Sequence, residues 1–180
     1  MPKMNISVFG GSTPQSGEDS YEEAQRLGGL LAKAGHTVLT GGYGGTMEAV
    51  SRGAAEAGGH VVGITTEEID SWRPGGANSF VLEERSYRTL KARLYALIDG
   101  CDAAIALPGG IGTLTEISAM WSQMQIGALP KRPLILVGPG WKKVLDSFFK
   151  QFPSYVPEED RPMLSYAETV EAAAEMLKQE

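Results

Sequence analysis

Residues 107–116 read Leu-Pro-Gly-Gly-Ile-Gly-Thr-Leu-Thr-Glu. Three glycines follow an apolar run, and a carboxylate stands three residues beyond the threonine. A strand–glycine–helix junction of this kind aims free backbone N–H groups at a ligand, and the helix N-terminus adds partial positive charge, so phosphate is favoured. Gly109 and Gly110 allow a tight turn and a close approach. Gly112 and Thr113 would open the helix, with the Thr113 hydroxyl as a further donor, and Glu116 would lie in its first turn. Gly41-Gly42-Tyr43-Gly44-Gly45-Thr46 has the same design, and Gly10-Gly11-Ser12-Thr13 is a weaker copy. A local reading competes, because Thr113-x-x-Glu116 also matches a capping box and any single glycine turn serves as a tight corner. There is no GxxxxGK[ST] sequence and no strict GxGxxG in the Gly41 region, so neither a P-loop nor a dinucleotide fingerprint is present.

The surrounding elements must bring these turns together. Strand and helix patterns alternate from end to end. Strands are expected at 5–10, 37–40, 60–65, 103–107 and 133–137, with a short one at 80–82. Helices are expected at 18–34, 46–57, 86–99, 113–126, 141–151 and 169–178. In the first helix Ala24, Leu27, Leu31 and Ala34 share one face, and Gly35 stops it. Such alternation implies a Rossmann-like, doubly wound parallel sheet with helices on both faces. Ligands on such sheets sit outside the carboxyl ends of the strands. All three glycine turns fall just past those ends, so they are expected to converge on one edge. Residues 66–78, with Pro74-Gly75-Gly76, form the longest irregular stretch and are expected to lie as a flap over that edge. Residues 154–162 read as an exposed loop.

With 180 residues the chain suits a single domain, 1–180. Its net charge of −6 argues against nucleic-acid binding, though not against a small anion held in a locally positive site. One cysteine and two histidines leave few ligands for a metal site. The N-terminal apolar run is too short for a signal peptide and no stretch approaches a membrane span, so no membrane role is expected and the cytoplasm is the expected compartment. His36 and His60 stand at strand starts, on the edge opposite the ligand side. Cys101 reads as a small buried residue.

Residues 108–116 resemble the PGGxGTxxE signature of the LOG ("lonely guy") family. VFGGS near the start, GGYGGTMEAVSRGAAEAGGHVVGI, and DAAIALPGG before the signature extend the resemblance, which runs from about Asn5 to Val137. It implies a Rossmann-like fold, a homodimer or larger assembly, and a phosphoribohydrolase. Such an enzyme cleaves the N-glycosidic bond of a cytokinin riboside 5′-monophosphate, or of AMP, to free base and ribose 5-phosphate. It also implies that Glu116 works with an arginine on the preceding helix, here Arg93, and that Ser122 lies near the ligand. Where the family commonly reads M-x-x-R-K, this chain has Leu90, Arg93 and Leu94: the arginine is kept and the following lysine is not. Leu94 and the bulky Tyr43 point to a changed ligand.

The chemistry follows from the residues. N-glycoside cleavage passes through an oxocarbenium-like ribose, which a carboxylate near the anomeric carbon stabilises while it orients or deprotonates water. Glu116 takes that role. Arg93 would either fix it through a bidentate pair, which would lower its pKa and keep it ionised at neutral pH, or contact the substrate; the plainer reading of Arg93 is a surface salt bridge. Binding of the substrate or its phosphate is assigned to Gly10, Gly11, Ser12, Gly41, Gly42, Gly44, Gly45, Gly109, Gly110, Gly112, Thr113 and Ser122. No metal or cofactor is required. Relatives of this kind were once labelled lysine decarboxylases, but no lysine lies in the strand-end motifs to carry a Schiff base. Met120, Trp121, Met124 and Ile126 cover more than one helix face, and the resemblance assigns that helix and the one before it to a dimer contact. The competing reading is a non-catalytic nucleotide or molybdenum-cofactor carrier; a DNA-processing role is a weaker third.

Overall fold

The computed structural model describes residues 3–72 and 75–178. Its strands are β1 (Asn5–Phe9), β2 (Thr37–Thr40), β3 (Val61–Thr66), β4 (Glu83–Tyr87), β5 (Ala103–Ala106), β6 (Leu134–Val137) and β7 (Ser165–Ala167). Between and after them run α1 (Asp19–Lys33), α2 (Thr46–Glu56), α3 (Glu67–Trp72), α4 (Leu90–Asp99), α5 (Ile111–Gln125), α6 (Pro139–Gln151) and α7 (Val170–Met176). The seven strands form one parallel sheet in the order β4-β3-β2-β1-β5-β6-β7.

Parallel strands covered on both sides must be apolar throughout, and β1, β2, β3, β5 and β6 are buried almost without interruption. Alternate residues face opposite layers. Ile6, Val8, Val38, Val61, Ala103 and Ile105 pack with Ala24, Leu27 and Leu31 of α1, Val50 and Ala54 of α2, and Val170 and Ala173 of α7. Phe9, Leu39, Val62, Ile64, Ala104 and Leu136 pack with Leu97 and Ile98 of α4, Ile117, Met120 and Met124 of α5, and Trp141 and Leu145 of α6.

From β1 the chain winds outward through β2 and β3 to β4, then returns through α4 to β5 on the other side of β1. The direction reverses between β1 and β5, which places a crevice at their carboxyl ends. The turn after β1 and the turn after β5 meet there, and the Gly11 N–H donates to the Pro108 carbonyl at 3.1 Å.

Several expected boundaries move. The short strand lies at Glu83–Tyr87, not 80–82, so Ser86 and Tyr87 are strand residues rather than the start of a helix. Its partner is β3 alone, and an edge strand needs no apolar pattern. Thr89 caps α4 by accepting from the Ala92 N–H at 3.1 Å. A 3-10 helix over Glu158–Met163 occupies the expected exposed loop, and β7 follows it. The stretch read as irregular holds α3; its Pro74 lies outside the described residues. His36 and His60 stand at the opposite edge. His36 accepts from the Met4 N–H at 3.3 Å, and His60 pairs with Glu83 at 3.0 Å. Cys101 is buried.

Candidate functional site

Helix α5 begins at Ile111, two residues before the expected start. Gly110 is its N-cap and no side chain caps it, so the Thr113–Glu116 capping box does not form. The first-turn N–H groups of a helix have no partner inside it. Those of Ile111, Gly112 and Thr113 find none elsewhere among the described residues. They face a cavity of about 550 Å³ bounded by Gly10, Gly11, Ser12, Gly110, Gly112, Thr113, Arg93 and Glu116. Anionic groups are favoured there by free donors and helix polarity together.

The turn after β2 is built differently. Gly41, Gly42, Gly44 and Gly45 are not on the cavity wall, and Tyr43 alone of that turn reaches it. The Gly41 carbonyl accepts from Arg93 Nη2 at 3.1 Å. The Gly42 carbonyl accepts from the Asn78 N–H at 2.7 Å and from Asn78 Nδ2 at 2.9 Å, and the Tyr43 carbonyl accepts from the same amide at 3.0 Å. Gly45 has φ +71°, and an added Cβ would lie 2.5 Å from the Ser12 backbone. This turn therefore packs against the first turn, and its glycines lie off the cavity wall. The Gly11 N–H is likewise engaged with Pro108, and Gly109 lies beneath the wall against Thr113. Ser122 is exposed and does not border the cavity.

Arg93 is buried, not a surface ion-pair partner. Its Nε donates to the Ile64 carbonyl at 2.8 Å, and its guanidinium carbon stands 5.5 Å from the Tyr43 ring centroid. The Tyr43 hydroxyl donates to the Thr66 carbonyl at 3.1 Å and accepts from the Thr66 N–H at 2.9 Å, which fixes that ring. Arg93 Nη1 has no hydrogen-bond partner among the described residues. No ion pair joins Arg93 to Glu116, so the expected bidentate clamp is absent: Nε and Nη2 are turned to the Ile64 and Gly41 carbonyls, and Nη1 alone is left over.

The consequence for Glu116 reverses the expectation. Desolvation in the cavity wall raises its carboxyl to about 7, and the Arg93 charge opposes that rise without cancelling it. Burial likewise lowers the Arg93 guanidinium from its ordinary value, opposed first by Glu116. At neutral pH Glu116 is thus poised between its two forms, as a general base or acid requires.

Other wall residues, Met47, Ile69, Trp72, Leu90 and Ile111, are not among those expected at the site. Ile69 and Trp72 come from α3, within the stretch expected to overlie this edge. Of the large residues on α5, Met120 and Met124 are in the core, Trp121 is half-buried with its indole N–H on the Asp160 carbonyl at 3.1 Å, and Ile126 is exposed. Among the described residues no group of three or more metal-ligating side chains is brought together, and no helix is long and apolar enough to cross a membrane.

The SLOG cluster4 family profile matches residues 3–172. A probable cytokinin riboside 5′-monophosphate phosphoribohydrolase of Oryza sativa subsp. japonica is 34% identical over 128 residues, covering 69% of this chain and 51% of that protein, about half its length. A cytokinin riboside 5′-monophosphate phosphoribohydrolase of Rhodococcoides fascians is 27% identical over 165 residues, covering 91% and 74%. Among solved structures, the molybdenum cofactor binding protein of Rippkaea orientalis superposes with a TM-score of 0.77 at 25% identity, covering 99% of this chain and 98% of that one.

Proposed function

The chain belongs to the SLOG cluster4 family, and from that membership we propose that it is a phosphoribohydrolase acting on an adenine-type nucleoside 5′-monophosphate, a cytokinin riboside monophosphate or AMP. The observation that carries this reading is a juxtaposition. Three unpaired N–H groups at the start of α5 and the carboxylate of Glu116, one turn further on, border one cavity.

The 5′-phosphate sits against the N–H groups of Ile111, Gly112 and Thr113, with the Ser12 hydroxyl beside them. The ribose then lies over Glu116. As the bond from C1′ to the base nitrogen lengthens, its electron pair leaves with the base and positive charge grows on the sugar. Ionised Glu116 stabilises that charge and takes a proton from the water whose oxygen bonds to C1′. With a carboxyl near pH 7 it can return that proton to the departing base. Arg93 holds positive potential beside the site from a fixed anchor.

The test is to incubate the purified protein with AMP and with isopentenyladenosine monophosphate and to quantify free base, with Glu116→Gln in parallel. Wild-type release is expected, and the variant should lose about 1,000-fold in kcat. Binding without release from either substrate would overturn the hydrolase reading. It would favour a carrier of a phosphate-bearing heterocycle, the reading that likeness to the Rippkaea orientalis protein supports. We also assign a homodimer contact to α4 and α5, where Leu90, Tyr95, Ile111 and Ile126 are exposed. Light scattering that returns a monomer mass would remove it.

A further inference from the structure

Phosphate and ribose, placed as above, leave the heterocycle to be held by what remains of the cavity wall. That remainder is apolar: Met47, Ile69, Trp72, Leu90 and Ile111. Two aromatic residues border the cavity: Tyr43 is buried, fixed by Thr66 and covered by the Arg93 guanidinium, whereas Trp72 is 81% exposed and has a free face. An indole left in water beside an apolar cavity gains by covering itself with a flat ring.

Helix α3 is suited to this use. It has no buried residue of its own. What fixes it is polar. The Glu68 N–H donates to Thr66 Oγ1 at 3.4 Å, and Glu68 Oε2 accepts from the Leu90 N–H at 2.7 Å. The second bond ties α3 to the first turn of α4, the helix that carries Arg93. Trp72 thus stands at a position set by the same helix that positions the site, while its own face is uncommitted.

We propose that Trp72 stacks on the heterocyclic base of the bound nucleotide and sets affinity for the base without taking part in cleavage. The inference rests on the nucleotide reading above. Stacking on aromatic side chains tolerates any flat base, so the contact selects for a heterocycle, not for one purine over another.

The experiment uses the full chain. Indole fluorescence, excited where AMP does not absorb, is followed while AMP is added to Glu116→Gln, and again to Glu116→Gln carrying Trp72→Phe. Quenching is expected in the first and its loss in the second, because Trp121 and Trp141 are engaged elsewhere. In otherwise wild-type protein, Trp72→Leu should raise KM for AMP about tenfold with kcat changed by less than about twofold. Inhibition by ribose 5-phosphate, which has no base, should be unchanged. Quenching that survives Trp72→Phe, an unaltered KM, or equal weakening of ribose 5-phosphate would each overturn the stacking role while leaving hydrolysis standing. Failure of wild type to bind or cleave any nucleoside monophosphate would overturn both readings together.

Discussion

In the turn after β2, the carbonyls of Gly41, Gly42 and Tyr43 accept hydrogen bonds from Arg93 and Asn78. In the turn after β5, the N–H groups of Ile111, Gly112 and Thr113 have no partner among the described residues. Both turns are rich in glycine, both follow a buried strand, and both lead into a helix. One uses glycine so that backbone can pack against backbone. The other uses it so that nothing stands between backbone and cavity. An added Cβ at Gly45 meets the Ser12 main chain, whereas at Gly110 and Gly112 it meets nothing within 4 Å. Composition alone cannot separate these uses; the polarity of the groups left over can.

The sharpest test of that difference is Gly45→Ala. The residue combines positive φ with a main-chain neighbour that cannot yield, so about 3 kcal/mol of stability should be lost. The midpoint of urea unfolding would measure it. An unchanged midpoint would show that the first and second turns are not packed as described.

A second test reads the carboxylate beside the open turn. Its folded-state value of about 7 lies above the ordinary carboxyl value of 4.5, so the folded chain holds the proton more tightly than the unfolded one. That contribution is complete below about pH 4.5 and is lost as pH rises through 7. Wild type should therefore lose up to about 3 kcal/mol relative to Glu116→Gln between those limits. Urea unfolding at a series of pH values gives the slope. Stability that rises with pH relative to the variant would mean that an ion pair with Arg93 dominates after all.

The smallest effect has the most diagnostic sign. Gly112→Ala replaces a helical glycine in open space, so stability should rise by about 0.5–1 kcal/mol. The new methyl stands at the cavity wall, so KM for AMP should rise about tenfold. A protein that melts later and binds more weakly would separate the two uses of glycine within one substitution. An unchanged KM would take the α5 N-terminus out of the phosphate site.

The same contrast explains what was legible in the sequence. The doubly wound sheet could be read because its central strands are apolar runs and its helices are periodic. The strand Glu83–Tyr87 could not, since an edge strand with half-exposed charged residues carries no such pattern. The approach of the first and last glycine turns followed from the rule for strand carboxyl ends. The removal of the middle turn from the cavity did not follow. It depends on Asn78 and Arg93, which lie 36 and 52 residues away from the carbonyls they hold. For the same reason the Arg93–Glu116 clamp was expected and is absent. Sequence supplies an arginine and a glutamate but not the carbonyls that engage the arginine first. Trp72 carried a readable signal, an aromatic side chain within the stretch expected to overlie the ligand edge.

Arg93 reaches from α4 to the ends of β2 and β3 through the carbonyls of Gly41 and Ile64. It therefore has a second employer. On the proposed function, a lineage that abandons hydrolysis can discard Glu116 in one step, since that side chain makes no ion pair or hydrogen bond among the described residues. The arginine cannot be discarded so freely, because two strand ends would be left with unanswered carbonyls. Descendants that only carry a ligand should keep Arg93 as architecture. On that reading the arginine would mark shared architecture, and the glutamate the proposed chemistry.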